Sequence, residues 1–132
     1  MLRYILDTSV LIEHWKRSCG GSIRASRLVD AKEWADMLIK LRKTNAIVTP
    51  VYLEVVCGVR SQHELFLTRA YLGQFRVVDE GKILERDWQE ARRVAERVPR
   101  NAKPRHLGDC LIRAIANRLK YDVDTLDDDF PG

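Results

Sequence analysis

Hydrophobic positions along the chain fall into two patterns, short apolar runs and longer stretches with an apolar residue every three or four positions. The first run, Leu2 to Leu6, predicts a buried strand, and it meets Asp7-Thr8-Ser9 before Val10-Leu11-Ile12 turns apolar again, so a short helix is expected from Ser9 to about Trp15. Lys16 to Ser26, with Gly20-Gly21 among serines and basic residues, reads as an exposed loop. Leu28, Ala31, Trp34, Ala35, Leu38 and Leu41 recur at helical spacing and predict an amphipathic helix from Leu28 to about Leu41. Ala46 to Val48 follows as a short buried strand.

Thr49-Pro50 is a helix start, since Thr can cap and Pro lacks an N–H that the first turn does not need; that helix should run to about Cys57, before Gly58. Ser61-Gln62-His63-Glu64 has the form of a capping box ahead of Leu65, Phe66, Ala70 and Leu72. Phe75 to Val78 predicts a third strand. Asp79 is then expected to cap a long helix carrying Ile83, Leu84, Trp88, Ala91, Val94, Ala95 and Val98 on one apolar stripe. Pro99 to Gly108 reads as a basic loop containing Arg100, Lys103, Arg105 and His106. A last helix is expected from Asp109, with Leu111, Ile112, Ile115, Ala116 and Leu119 on its stripe, followed by a weakly hydrophobic strand at Val123 to Leu126. The stripes assign Trp34 and Trp88 to the core and leave Trp15 unassigned.

Strands separated by helices predict an α/β fold with a mostly parallel sheet of about four strands, because parallel neighbours need crossovers of about a dozen residues or more. The 132 residues, 45% of them hydrophobic, fit a single domain over 1–132 with a substantial core. No apolar run approaches the roughly 18 residues that span a bilayer, and the N-terminus lacks the order of a signal peptide, so no membrane association and a cytoplasmic location are expected. Cys19, Cys57 and Cys110 form no C-x-x-C pair and suggest reduced thiols. A net charge of +4 is compatible with a polyanionic partner without requiring one.

Parallel sheets place ligands beyond the carboxyl ends of their strands. Asp7 lies at that end of the first strand, Glu54 one turn into the helix after the second, and Asp127 just past the last. Asp109 opens the helix leading to the last strand, and its place depends on the route of the basic loop before it. Each has an ordinary structural explanation: Asp7 as an N-cap, Asp109 as a charge complementing a helix dipole, Glu54 as a solvated side chain, and the run Asp127-Asp128-Asp129 as a solvated turn. If the four converge, their mutual repulsion calls for a cation, and oxygen ligands without His or Cys select Mg²⁺ or Mn²⁺. Phosphodiester hydrolysis is the chemistry that uses such a site.

The pattern resembles the PIN-domain ribonucleases and, within them, the VapC-type toxins of toxin–antitoxin pairs. Ile5-Leu6-Asp7-Thr8-Ser9-Val10-Leu11-Ile12 is similar to the family's first motif, and Val51-Tyr52-Leu53-Glu54-Val55-Val56-Cys57-Gly58 to its second. Gly108-Asp109-Cys110-Leu111-Ile112 with Ala114 and Ala116 resembles the third, and Thr125-Leu126-Asp127-Asp128-Asp129-Phe130 the fourth. The resemblance implies a three-layer α/β/α fold, Mg²⁺- or Mn²⁺-dependent cleavage of an RNA substrate, a homodimer, and inhibition by a small antitoxin protein. It assigns Asp7, Glu54 and Asp109 as core metal ligands and Asp127 as the fourth acid, with Asp129 as its substitute and Ser9 and Thr125 as supporting hydroxyls. Arg100, Lys103, Arg105, His106, Arg17 and Arg24 are candidates for phosphate contacts or ordinary solvated charges.

Three other readings compete. A haloacid-dehalogenase-like phosphatase needs a second acid two residues after the first, and that position is Ser9. A metal-independent ribonuclease needs paired histidines, whereas His14, His63 and His106 are scattered. A degenerate PIN domain would bind RNA or a protein without cutting.

Overall fold

The computed structural model describes residues 2–97 and 107–132. In chain order they form β1 (Tyr4–Leu6), α1 (Thr8–Cys19), a 3₁₀ turn (Ile23–Ala25), α2 (Leu28–Arg42), β2 (Ala46–Ile47), α3 (Thr49–Cys57), α4 (Gln62–Leu72), β3 (Arg76–Val77), α5 (Glu85–Arg97), α6 (Leu107–Leu119) and β4 (Asp122–Asp124). β1 pairs with β4 and β2 with β3, both in parallel, in the registers Ile5 to Val123 and Ala46 to Arg76. The two ladders meet at β1 and β2, where the Thr44 hydroxyl donates to the Tyr4 carbonyl at 2.8 Å. The α/β alternation expected from the hydrophobic pattern is therefore present, with helices supplying each crossover. Among the described residues no helix is long and apolar enough to cross a membrane.

Buried apolar residues make one cluster, from Ile5, Leu6 and Leu11 through Ile47, Val51 and Tyr71 to Ile112 and Ile115. Trp15 belongs to it: its ring meets Trp34 edge-on at 5.4 Å and Tyr71 at 5.0 Å, and Tyr71 in turn packs on Phe75. Aromatic pairs in this geometry add about 0.5–1.5 kcal/mol beyond the area they bury. The cluster fastens α1, which opens at Asp7, onto α2 and α4.

Several boundaries differ from expectation. α1 runs past Trp15 to Cys19, where Gly20 adopts a left-handed φ of 56° and closes the helix on the Lys16 carbonyl. α6 begins at Leu107, so Gly108 is helical, whereas the sequence assigns it to irregular chain. β4 covers Asp122–Asp124 instead of Val123 to Leu126, because its register is set by pairing with Tyr4–Leu6. Leu28 and Leu41 are exposed, and α2 buries Ala31, Ala35 and Leu38.

Two further corrections have one cause, a buried acid with a distant partner. Asp79 does not cap α5, which starts at Glu85. It reaches back to the start of α3, accepting the Thr49 N–H at 2.8 Å, the Thr49 hydroxyl at 2.6 Å and the Gly81 N–H at 3.1 Å. Trp88 is 49% exposed although its stripe assigns it to the core. α5 instead turns Asp87 inward, 1% exposed, where Arg118 of α6 grips both carboxylate oxygens at 2.7 and 3.0 Å. A buried acid and its guanidinium set the rotation of the helix, and Trp88, one position on, is carried outward.

Asp79→Ala removes the acceptor of three hydrogen bonds, one of them from the first N–H of the helix carrying Glu54. It should lower stability by about 2–3 kcal/mol in urea unfolding.

Candidate functional site

Asp7 stands between β1 and α1 in extended conformation, with φ −75° and ψ 158°, and is 3% exposed. Its N–H continues the ladder by donating to the Asp124 carbonyl at 2.9 Å. Oδ1 accepts the Thr8 N–H at 2.8 Å, which makes Asp7 the N-cap of α1. Oδ2 accepts two hydroxyls, Ser9 at 3.0 Å and Thr125 at 2.8 Å. Capping thus uses one oxygen, while the other receives a residue from the opposite end of the chain. All three donors are neutral, and Asp7 forms no ion pair among the described residues.

Ser9 and Thr125 also organise the segment after β4. Each hydroxyl has its proton on Asp7, and each accepts from the backbone: Ser9 from the Leu126 N–H at 3.1 Å, Thr125 from the Asp127 N–H at 3.0 Å. Asp127 is half-buried, and its Oδ1 accepts the Asp129 N–H at 3.0 Å, closing a tight turn that leaves Asp128 and Asp129 exposed. Within the acidic run, Asp127 is the residue whose backbone is tied through Thr125 to the Asp7 carboxylate.

Thr8 is the residue that sequence reasoning passed over. Its N–H serves Asp7, and its hydroxyl donates to Oε1 of Glu54 at 2.8 Å, so one residue holds the acids of β1 and α3. The signal was weak, since a Thr between Asp and Ser carries no mark of a partner 46 positions away. Glu54 is half-buried, and its carboxylate lies against Gly108 in the first turn of α6, the residue before Asp109. Asp7, Glu54 and the start of α6 are accordingly neighbours around Thr8.

Among the described residues no three Asp, Glu, His or Cys side chains form a group that could hold a metal ion as they stand. The chemistry of the donors nonetheless fits a hard divalent cation: carboxylate oxygens, one of them buried, with hydroxyls rather than cations against Asp7 and Glu54 among the described residues.

Behind Asp7, Arg42 at the end of α2 holds Asp124 through Nη1 at 3.1 and 3.4 Å, and its buried Nε has no hydrogen-bond partner among the described residues. The ion pair steadies the strand end that receives the Asp7 N–H. Nearby, His14 Nδ1 lies 3.0 Å from the Tyr71 hydroxyl. Burial, and secondarily the charge of Arg42, push the His14 imidazole below its ordinary value, while burial pushes the Tyr71 phenol up. Of the candidate phosphate contacts, Arg17 is exposed and paired with Glu13 at 2.9 Å, and Arg24 is exposed on the 3₁₀ turn. Arg100, Lys103, Arg105 and His106 lie outside the described residues.

The family model for the PIN domain matches residues 4–131. No curated protein and no solved structure gives a significant match.

Thr125→Val and Ser9→Ala each remove one donor to Asp7 and should each cost about 1–2 kcal/mol in urea unfolding. Because they share Oδ2 as acceptor, the double variant should lose more than the sum of the two, whereas independent sites would simply add. His14 predicts a pH effect: with its folded pKa below the unfolded 6.5, the unfolded chain binds the extra proton first. Stability should be full above pH 6.5 and fall as pH drops from there toward the depressed folded value, and His14→Gln should flatten that part of the profile.

Proposed function

This chain belongs to the PIN domain family, whose members are generally nucleases that use divalent metal ions, and on that premise we propose that it is a Mg²⁺- or Mn²⁺-dependent endoribonuclease. The observation that carries the reading is the convergence around Thr8, whose N–H holds Asp7 and whose hydroxyl holds Glu54 beside the helix start bearing Asp109. Asp7, Glu54, Asp109 and Asp127 are the residues that would hold the ion. When bound, a divalent ion supplies an activated water and offsets charge developing on the phosphate. The chain's own part is positional. Ser9 and Thr125 direct their hydroxyls at Asp7 and so fix the orientation of its carboxylate. Thr8 does the same for Glu54. Asp127 is carried to the same edge by the backbone bond to Thr125.

The order and spacing of the four motifs support a narrower reading, the toxin of a toxin–antitoxin pair, acting as a cytoplasmic homodimer restrained by a small antitoxin. A second function draws on the absence of a ready metal-holding group among the described residues: a PIN domain that binds RNA or a protein without cutting. Calorimetric titration with Mn²⁺ separates the two, since the binding module takes up no ion.

Asp7→Asn tests the nuclease directly, because Asn preserves the cap and the shape while removing the charge. With secondary structure unchanged by circular dichroism, Mn²⁺-dependent RNA cleavage should fall at least about 100-fold, equivalent to about 2.7 kcal/mol of transition-state stabilisation. Cleavage at the wild-type rate would remove Asp7 from the chemistry.

A further inference from the structure

Among the described residues, Glu54 is held by a hydrogen bond on one side only. Oε1 takes the Thr8 hydroxyl at 2.8 Å, and among the described residues no other donor reaches either oxygen. What confines the carboxylate on its other side is the backbone of Gly108. A Cβ built there would stand 2.9 Å from Oε2 and 3.0 Å from both Cδ and Oε1, closer than side chains tolerate. The three nearest atoms all belong to the Glu54 carboxyl group. The conflict would be with the free end of a flexible side chain, which can move without disturbing the fold.

Gly108 has no backbone reason to be glycine. It lies within α6 and is absent from the glycines with left-handed φ, which are Gly20, Gly21 and Gly81. Inside a helix glycine is less favourable than alanine. A residue that is locally unfavourable and occupied on its open side by a carboxylate points to a role for the space it leaves.

We infer that Gly108 is a positioning residue, whose missing side chain is the seat of the Glu54 carboxylate between Thr8 and the first turn of α6. The seat sets how near Glu54 comes to Asp109 on the next residue, and its functional consequence rests on the nuclease reading above. Stability and activity should respond in opposite directions at this one position.

Gly108→Ala should fold with a thermal midpoint equal to or above wild type. Its Mn²⁺-dependent RNA cleavage should fall at least about 10-fold, because small displacements of a positioned group are costly, and its calorimetric Mn²⁺ affinity should weaken by a similar factor. Glu54→Asp withdraws the carboxylate by one methylene, away from an added methyl group. The double variant should therefore match Glu54→Asp alone instead of multiplying the two losses. A crystal structure of Gly108→Ala should show the carboxylate shifted from its contact with the Thr8 hydroxyl. Wild-type cleavage and Mn²⁺ affinity in Gly108→Ala, multiplied losses in the double variant, an unmoved carboxylate, or a lowered thermal midpoint would each overturn the seat. If the wild-type protein neither cleaves RNA nor binds Mn²⁺, the nuclease reading fails, and the carboxylate position in the Gly108→Ala crystal still decides the seat.

Discussion

The buried carboxylate of Asp7 is the constraint on which the rest of the site depends. An ionised group removed from water costs several kcal/mol unless hydrogen bonds replace its hydration. Here the replacements come from both ends of the chain: Thr8 and Ser9 from the helix start, Thr125 from the segment after the last strand. Charge-assisted bonds of this kind contribute about 1.5–3 kcal/mol each, so three of them offset the burial and close the β1–β4 ladder at its carboxyl end. A carboxylate offers about four lone-pair positions. Three are taken by protein donors, so capping the helix and binding a further electrophile are compatible roles for the same group.

Burial of an acid among neutral donors is not by itself a functional mark. Asp79 is 4% exposed and also accepts only backbone N–H groups and a hydroxyl, yet its work is to hold the start of α3. Asp87 is buried too, and its charge is met by the guanidinium of Arg118. The difference lies in what stands next to the acid. Asp7 shares Thr8 with a second carboxylate, and that carboxylate shares its far side with the helix carrying a third. Asp79 also lies just past the carboxyl end of a strand, but its oxygens are spent on Thr49 and Gly81, and Asp87 lies on α5 against Arg118; neither shares a donor with a second carboxylate.

Much of this was legible from residue order because it is local. A strand running into Asp7, a Thr-Pro helix start, and apolar stripes on α2 and α6 depend on neighbours within a turn or two. Asp7, Glu54 and Asp127 could be placed at one edge from topology alone, since parallel strands share a direction. What escaped depends on partners far along the chain. The first N–H of α3 is accepted by Asp79, thirty positions from Thr49, and apolar periodicity could not foresee that Asp87 and Arg118 would rotate α5 and expose Trp88. Thr8 went unremarked because a hydroxyl shows no preference for its acceptor. Gly108 read as the end of a loop, since a glycine after two prolines normally marks irregular chain; only the contact with Glu54 shows why a helix would contain it.

The placement of the acids is graded in stiffness. Asp7 caps one helix and Thr8 and Ser9 open it, and each points its hydrogen-bonding group at a different partner: Asp7 receives, Thr8 reaches Glu54, Ser9 reaches the segment after β4. Asp7 and Thr8 are therefore fixed by helix geometry and by the core beneath α1. Glu54 is fixed at one oxygen and seated at the other by a backbone without a side chain. Asp127 is held through its backbone to Thr125, while its carboxylate is engaged by the turn to Asp129. The three acids are thus held by three different means, a helix cap, a single hydroxyl and a backbone bond, and only the first of these places its carboxylate through the fold of one continuous segment.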